Sequence, residues 1–214
     1  MEEDINIIDA KTRNEKIKNF FIENKKLIII FLSFLIITII SFYSYQIYKE
    51  GQRVKISDKY NSIIIDYKKN DKSKTVNLLK EIISYKDNLY SPLALYFLID
   101  KKLVEDKNEV NNLFDILINI KSLEKEIKNL IILKKALFNA DEINELKLLK
   151  ILNPIINSES VWKSHALYLV AEYFYDKGEI QKSKDFFQQI ILIDNPNLEI
   201  KIKAQKRLDR DLSD

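Results

Sequence analysis

The chain has 214 residues, with 35 Lys and Arg against 32 Asp and Glu, one His, no Cys, and only two Gly and three Pro. So few turn residues disfavour sandwiches, barrels and doubly wound sheets, and two glycines leave no phosphate-cradling loop. Without cysteine and with one histidine, zinc sites, thiol nucleophiles and disulfides drop out. The interspersed charges, net +3, make a solvated surface rather than a nucleic-acid footprint. An all-α, non-enzymatic protein with no cofactor and no metal is the expectation.

Residues 1–26 form a tail that is as acidic as it is basic. Residues 27–48, LIIIFLSFLIITIISFYSYQIY, carry no charge. Twenty-two helical residues span roughly 33 Å, against about 30 Å of hydrocarbon. Lys25 and Lys26 mark one edge, and Tyr43, Tyr45 and Tyr48 crowd the other, where amphipathic rings favour headgroups. The stretch exceeds the apolar core of a signal peptide and is followed by bulky Phe42-Tyr43 rather than a small-residue cleavage site. An uncleaved transmembrane helix is the reading.

Basic residues flank the span almost evenly. Arg13, Lys16, Lys18, Lys25 and Lys26 precede it, and Lys49, Arg53, Lys55 and Lys59 follow. A single span with a short tail is simplest with the tail in the cytoplasm and residues 49–214 translocated. Inside the span, Ser33 and Ser41 lie eight apart, nearly on one helical face, with Thr38 between them. Small polar residues of this kind mark helix–helix contacts in lipid, the alternative being a hydroxyl satisfied by its own backbone.

Beyond Gly51, polar breaks rich in Asn, Asp and Ser separate segments of about 12–16 residues with apolar side chains at i, i+3, i+4 and i+7. Pro92 sits where a first helical turn tolerates it. Second helices of successive pairs are predicted to start near Lys74, Glu109, Glu142 and Glu179, intervals of about 35, 33 and 37 residues. Such a period implies about four stacked helical hairpins, an α-solenoid, closed by a more polar capping helix over residues 198–212.

The last hairpin is the most readable. Residues 166–180, ALYLVAEYFYDKGEI, followed by SKDFFQQIILIDNP, resemble the tetratricopeptide pattern. Ala171 and Ser183 fall at its small crossing positions, Phe174 and Phe187 at its aromatic ones, Gly178 at the turn, and Pro196 closes the repeat one place late. In earlier hairpins Lys101 and Lys134 fall near positions where a small or aromatic residue is expected.

With the NKKLIII anchor, the KEGQRVKISDKY exit, KTVNLLKEI and VWKSHALYLVAEYFYDKGEIQKSKDFFQQI, the chain resembles bacterial tetratricopeptide-domain proteins of the ancillary SecYEG translocon subunit / cell division coordinator CpoB family. The resemblance implies one span in the inner (plasma) membrane, a periplasmic repeat domain, and contacts with the SecYEG translocon and with periplasmic chaperones or secreted clients. It also carries groove positions two, five, nine and twelve of a first helix onto His165, Tyr168, Glu172 and Tyr175. Two tyrosines, an acid and a histidine make a mixed strip suited to protein contact, the alternative being a plain exposed helix face.

Other candidates read as structural. His165 is two turns from Glu172, too far for a dyad on one helix. Trp162 reads as a packing residue between hairpins. Glu124 and Glu126, at i and i+2, point to different helix faces and make no hydrolytic pair. Two functions fit this pattern. One is a membrane-tethered scaffold for exported proteins; the other is a structural assembly or cell-division protein acting through weak self-association.

Overall fold

Residues 15, 18–67 and 71–212 are described in a computed structural model, and their regular structure is entirely helical, without strands. Most of the expected tail, including Arg13 and Lys16, lies outside the described residues. The helices with full bounds are α1 (Lys25–Asp66), α2 (Lys72–Ser84), α3 (Tyr90–Asp100), α4 (Lys107–Ile118), α5 (Lys125–Asn139), α6 (Glu145–Ile156), α7 (Lys163–Asp176), α8 (Ile180–Ile191) and α9 (Leu198–Asp211).

The chain divides into two compact units, residues 1–55 and 56–214. In the first, α1 is long and apolar enough to cross a membrane, and none of its most hydrophobic window is buried within the protein. Its pattern changes at Ile56. From there Ile56, Tyr60, Ile63 and Ile64 recur at helical spacing, and Ile63 enters the core of the second unit. The helix continues through Gly51, whose missing side chain costs about 1 kcal/mol in a helix and is insufficient to break one.

In the second unit the helix starts follow from capping chemistry. Asp71, Asp106, Asn144 and Asn197 each accept a hydrogen bond from a backbone N–H of the first turn that has no partner within the helix. Second helices therefore begin at Lys72, Lys107 and Glu145, and the fourth begins at Ile180 after Glu179, which makes no side-chain cap; all four lie within three residues of the predicted starts. The shift from Glu142 to Glu145 arises because residues 140–144 form the turn and Asn144 is the cap. Gly178 takes φ +73°, the left-handed turn geometry expected of it, and Lys102 and Lys86 adopt the same region at the ends of α3 and α2.

First helices α3, α5, α7 and α9 begin at residues 90, 125, 163 and 198, and so repeat at intervals of 35, 38 and 35. Each helix from α2 to α9 packs on the next, with α5 on α7 and α7 on α9 as well. Three buried clusters follow in series along the stack. Two helices alone leave an apolar face open, and the adjacent hairpin covers it.

The crossing of α7 and α8 is built as the pattern implies, with Ala171, Ser183 and Phe187 fully buried and Phe174 1% exposed. One hairpin earlier the same register carries Leu133 and Ala136, both buried, in place of Ala171 and Phe174. The large and small residues have exchanged places, so the crossing stays filled while the sequence signature is lost. Lys134 is exposed beside this pair and takes no part in the crossing.

A bulky side chain at the tightest crossing tests this register. Ala171→Trp should lower stability by at least about 1–3 kcal/mol, read as a fall in Tm of the full chain in detergent, because overpacking there displaces α8. Unchanged thermal unfolding would contradict the crossing.

Candidate functional site

All four expected groove residues lie on α7, half-buried, along the side that meets α9. The His165 ring stands 5.3 Å from that of Trp162, and its Nδ1 is buried with no hydrogen-bond partner. Burial holds its pKa below the ordinary histidine value; Glu199 of α9 opposes the shift and Lys203 adds to it. Tyr168 packs edge-on against Phe187 at 5.3 Å, and burial, reinforced by Glu172, pushes its hydroxyl up to about 12.

Glu172 and Tyr175 are engaged by one residue that the sequence reading did not single out. Arg207 of α9 donates from Nε and Nη2 to the two oxygens of Glu172, at 2.9 and 2.7 Å. Its guanidinium carbon also lies 4.1 Å from the centre of the Tyr175 ring. Asp211 pairs with the same guanidinium, and hydrogen bonds from Arg210 and Arg207 hold its carboxyl down to about 2 against the effect of burial. Burial disfavours the Arg207 charge, but the two carboxylates outweigh it and raise its pKa. The cap helix thus seats a planar cation on the centre of the strip.

An open cleft occurs two helices earlier at the same register. The residues nine places beyond each helix start are Ile99, Lys134, Glu172 and Arg207, and those twelve places beyond include Leu137 and Tyr175. Between α3 and α5, Ile99, Lys134 and Leu137 join Tyr96, Phe114 and Phe138 to line a cleft of about 290 Å³, with Asp100 also in the wall. Leu137 is 53% exposed. Lys134 Nζ stands 4.5 Å from the centre of the Tyr96 ring. The Tyr96 hydroxyl is buried without a protein hydrogen-bond partner, and burial raises its pKa to about 12, so it remains a donor at neutral pH. An apolar slot with one hydroxyl, one cation and one carboxylate in its wall suits an apolar or aromatic side chain presented by a polypeptide.

The remaining candidates have structural partners. Trp162 Nε1 donates to the Glu126 carbonyl at 2.9 Å. The Glu126 carboxylate accepts from the Ser160 hydroxyl at 2.7 Å and the Val161 N–H at 3.2 Å, tying two inter-hairpin loops rather than facing Glu124. In the first unit, Thr38 Oγ1 donates to the Phe34 carbonyl at 2.9 Å, while Ser33 and Ser41 lie on the exposed apolar length of α1. Among the described residues no cluster of three or more His, Asp or Glu side chains is placed to hold a metal ion.

Comparison with protein-family models, with curated proteins and with solved structures finds no match to this chain. The site is therefore assigned on its geometry.

Two measurements probe the strip. In a double-mutant cycle, Arg207→Met and Glu172→Gln should show a coupling of about 0.5–3 kcal/mol, because either change strands a half-buried partner; additive effects would count against the lock. The histidine gives a pH signature. Its folded pKa lies below the unfolded value near 6.5, so the unfolded chain takes up the proton first and stability falls as pH drops through and below about 6.5. The loss of Tm between pH 7 and pH 5 should shrink in His165→Asn; the depressed carboxylates Glu81, Glu199 and Asp211 contribute only at lower pH. An unchanged slope would contradict the burial of this imidazole.

Proposed function

We propose that the chain is a membrane-anchored, tetratricopeptide-like scaffold for protein–protein interaction. Residues 27–48 cross the bacterial inner membrane once, the tail is cytoplasmic, and residues 49–214 are periplasmic. The scaffold acts beside the SecYEG translocon, and its cleft receives apolar segments of secreted clients or of periplasmic chaperones. The supporting observation is the cleft itself: an apolar slot on the first-helix side of a stack of hairpins whose chain begins in a membrane-length apolar helix. Tethering concentrates the cleft near the membrane, so contacts that are individually weak are sufficient.

In-cell photocrosslinking tests the reading. A photoreactive residue at Leu137 should give adducts with chaperones or secreted proteins, one at Ser41 adducts with translocon subunits, and one at Tyr175 far fewer, because Arg207 covers that ring. Tyr96→Phe should leave the Tm unchanged or slightly higher, since its buried hydroxyl has no partner to lose. Self-adducts alone would favour an assembly protein, and cytoplasmic proteins at Leu137 would reverse the orientation; either result overturns the scaffold reading.

A further inference from the structure

The two ends of the hairpin stack differ. Turns within hairpins, at residues 101–106, 140–144 and 177–179, expose no large apolar side chain themselves, although Leu146 and Ile180 are exposed in the first turns of the helices that follow. Loops between hairpins, at residues 85–89, 119–124, 157–162 and 192–197, lie at the other end, and their surroundings are different. Val161, Leu192 and Leu198 are 66%, 80% and 69% exposed, with Tyr85 and Leu89 also exposed at the first loop.

These loops form one connected row. Tyr90 donates its hydroxyl hydrogen to Ser57 Oγ at 2.7 Å. Asn88 and Ser122 exchange two hydrogen bonds, from Asn88 Nδ2 to the Ser122 carbonyl and from Ser122 Oγ to Asn88 Oδ1, each 2.8 Å. Glu126 holds Ser160 and Val161, and the Asn197 N–H donates to Ser164 Oγ at 3.2 Å. Each loop is fixed to the next by side-chain hydrogen bonds, so the exposed apolar tips are held in place. The row begins at Ser57, where the chain enters the second unit, and only residues 49–55 separate that unit from the last residue of the uncharged stretch. Seven residues reach at most about 25 Å fully extended.

We infer that this row of inter-hairpin loops, with Val161, Leu192 and Leu198 at its distal end, rests on the lipid headgroup surface of the membrane that holds α1. The inference rests on the reading of residues 27–48 as a membrane span. A short tether brings this end of the stack to the bilayer at high effective concentration, which offsets the small apolar area of the tips. Aliphatic side chains bury favourably at the headgroup–acyl boundary, and the short tether selects this end of the stack.

The absence of cysteine makes a direct test available. Single cysteines in the full chain, Leu192→Cys, Leu198→Cys, Leu146→Cys and Ile37→Cys, are spin-labelled and reconstituted into phosphatidylethanolamine–phosphatidylglycerol vesicles. Collision rates with oxygen and with a water-soluble nickel chelate then report depth. Leu146 is 77% exposed in the first turn of α6, at the opposite end of the stack, and serves as the aqueous reference. The expected result is a several-fold higher oxygen-to-nickel ratio at residues 192 and 198 than at 146, independent of protein-to-lipid ratio. Equal ratios at all three, with residue 37 deep in lipid, would overturn the docking and leave the span standing. Protection that vanishes on dilution in lipid would assign the edge to a second copy of the chain and overturn it too. Residue 37 in water would remove the span, and this inference with it.

Discussion

A helical hairpin buries only part of its apolar surface, and this chain depends throughout on supplying the rest from the adjacent hairpin. The three core clusters follow one another along the stack, each drawing side chains from consecutive hairpins. Such an arrangement has two ends to resolve. At one, the tail of α1 enters the core through Ile63, so the helix that carries the apolar membrane-length segment also closes the first hairpin. At the other, α9 covers α7 and α8 with Ile200, Ala204 and Leu212 and turns a strongly polar surface outward. Terminal repeats need such a face to stay soluble.

Closing the last hairpin has a consequence for its surface. Arg207 occupies the register position of Glu172 one repeat later, which is why the two residues meet across the first-helix seam. The guanidinium satisfies the carboxylate in two parallel hydrogen bonds and covers the Tyr175 ring. The residues best matched to a contact strip are thereby spent on holding the cap. Between α3 and α5 the same register carries Ile99, Lys134 and Leu137, and Lys134 and Asp100 form no ion pair that would draw the seam shut.

Polar chemistry in this fold is concentrated at the loops between hairpins. Asn88 with Ser122, Glu126 with Ser160 and Val161, and Ser164 with Asn197 link each loop to the following one at separations close to the repeat length. Asn111 and Asn139 exchange amide hydrogen bonds between α4 and α5 in the same manner. Each bond is modest by itself, but each fixes the angle at which one hairpin meets the next. Exposed Lys–Glu pairs between second helices, such as Lys182 with Glu145, are screened and add little to that.

Local chemistry is what one sequence records well. Absence of charge over residues 27–48, cap residues at Asp71, Asp106 and Asn197, the turn at Gly178 and the small residues at Ala171 and Ser183 each act within a few positions of themselves, and the helices and their period were legible from them. Tertiary structure alone decided which face of each helix stays open. Leu133 and Ala136 fill a crossing as well as Ala171 and Phe174 do, because packing conserves summed volume and not residue order. Arg207 reaches Glu172 over 35 residues of chain, and Tyr96, Phe114 and Phe138 meet from three different helices. Pairings of that kind depend on how hairpins stack, a sum over many weak contacts that no local pattern encodes.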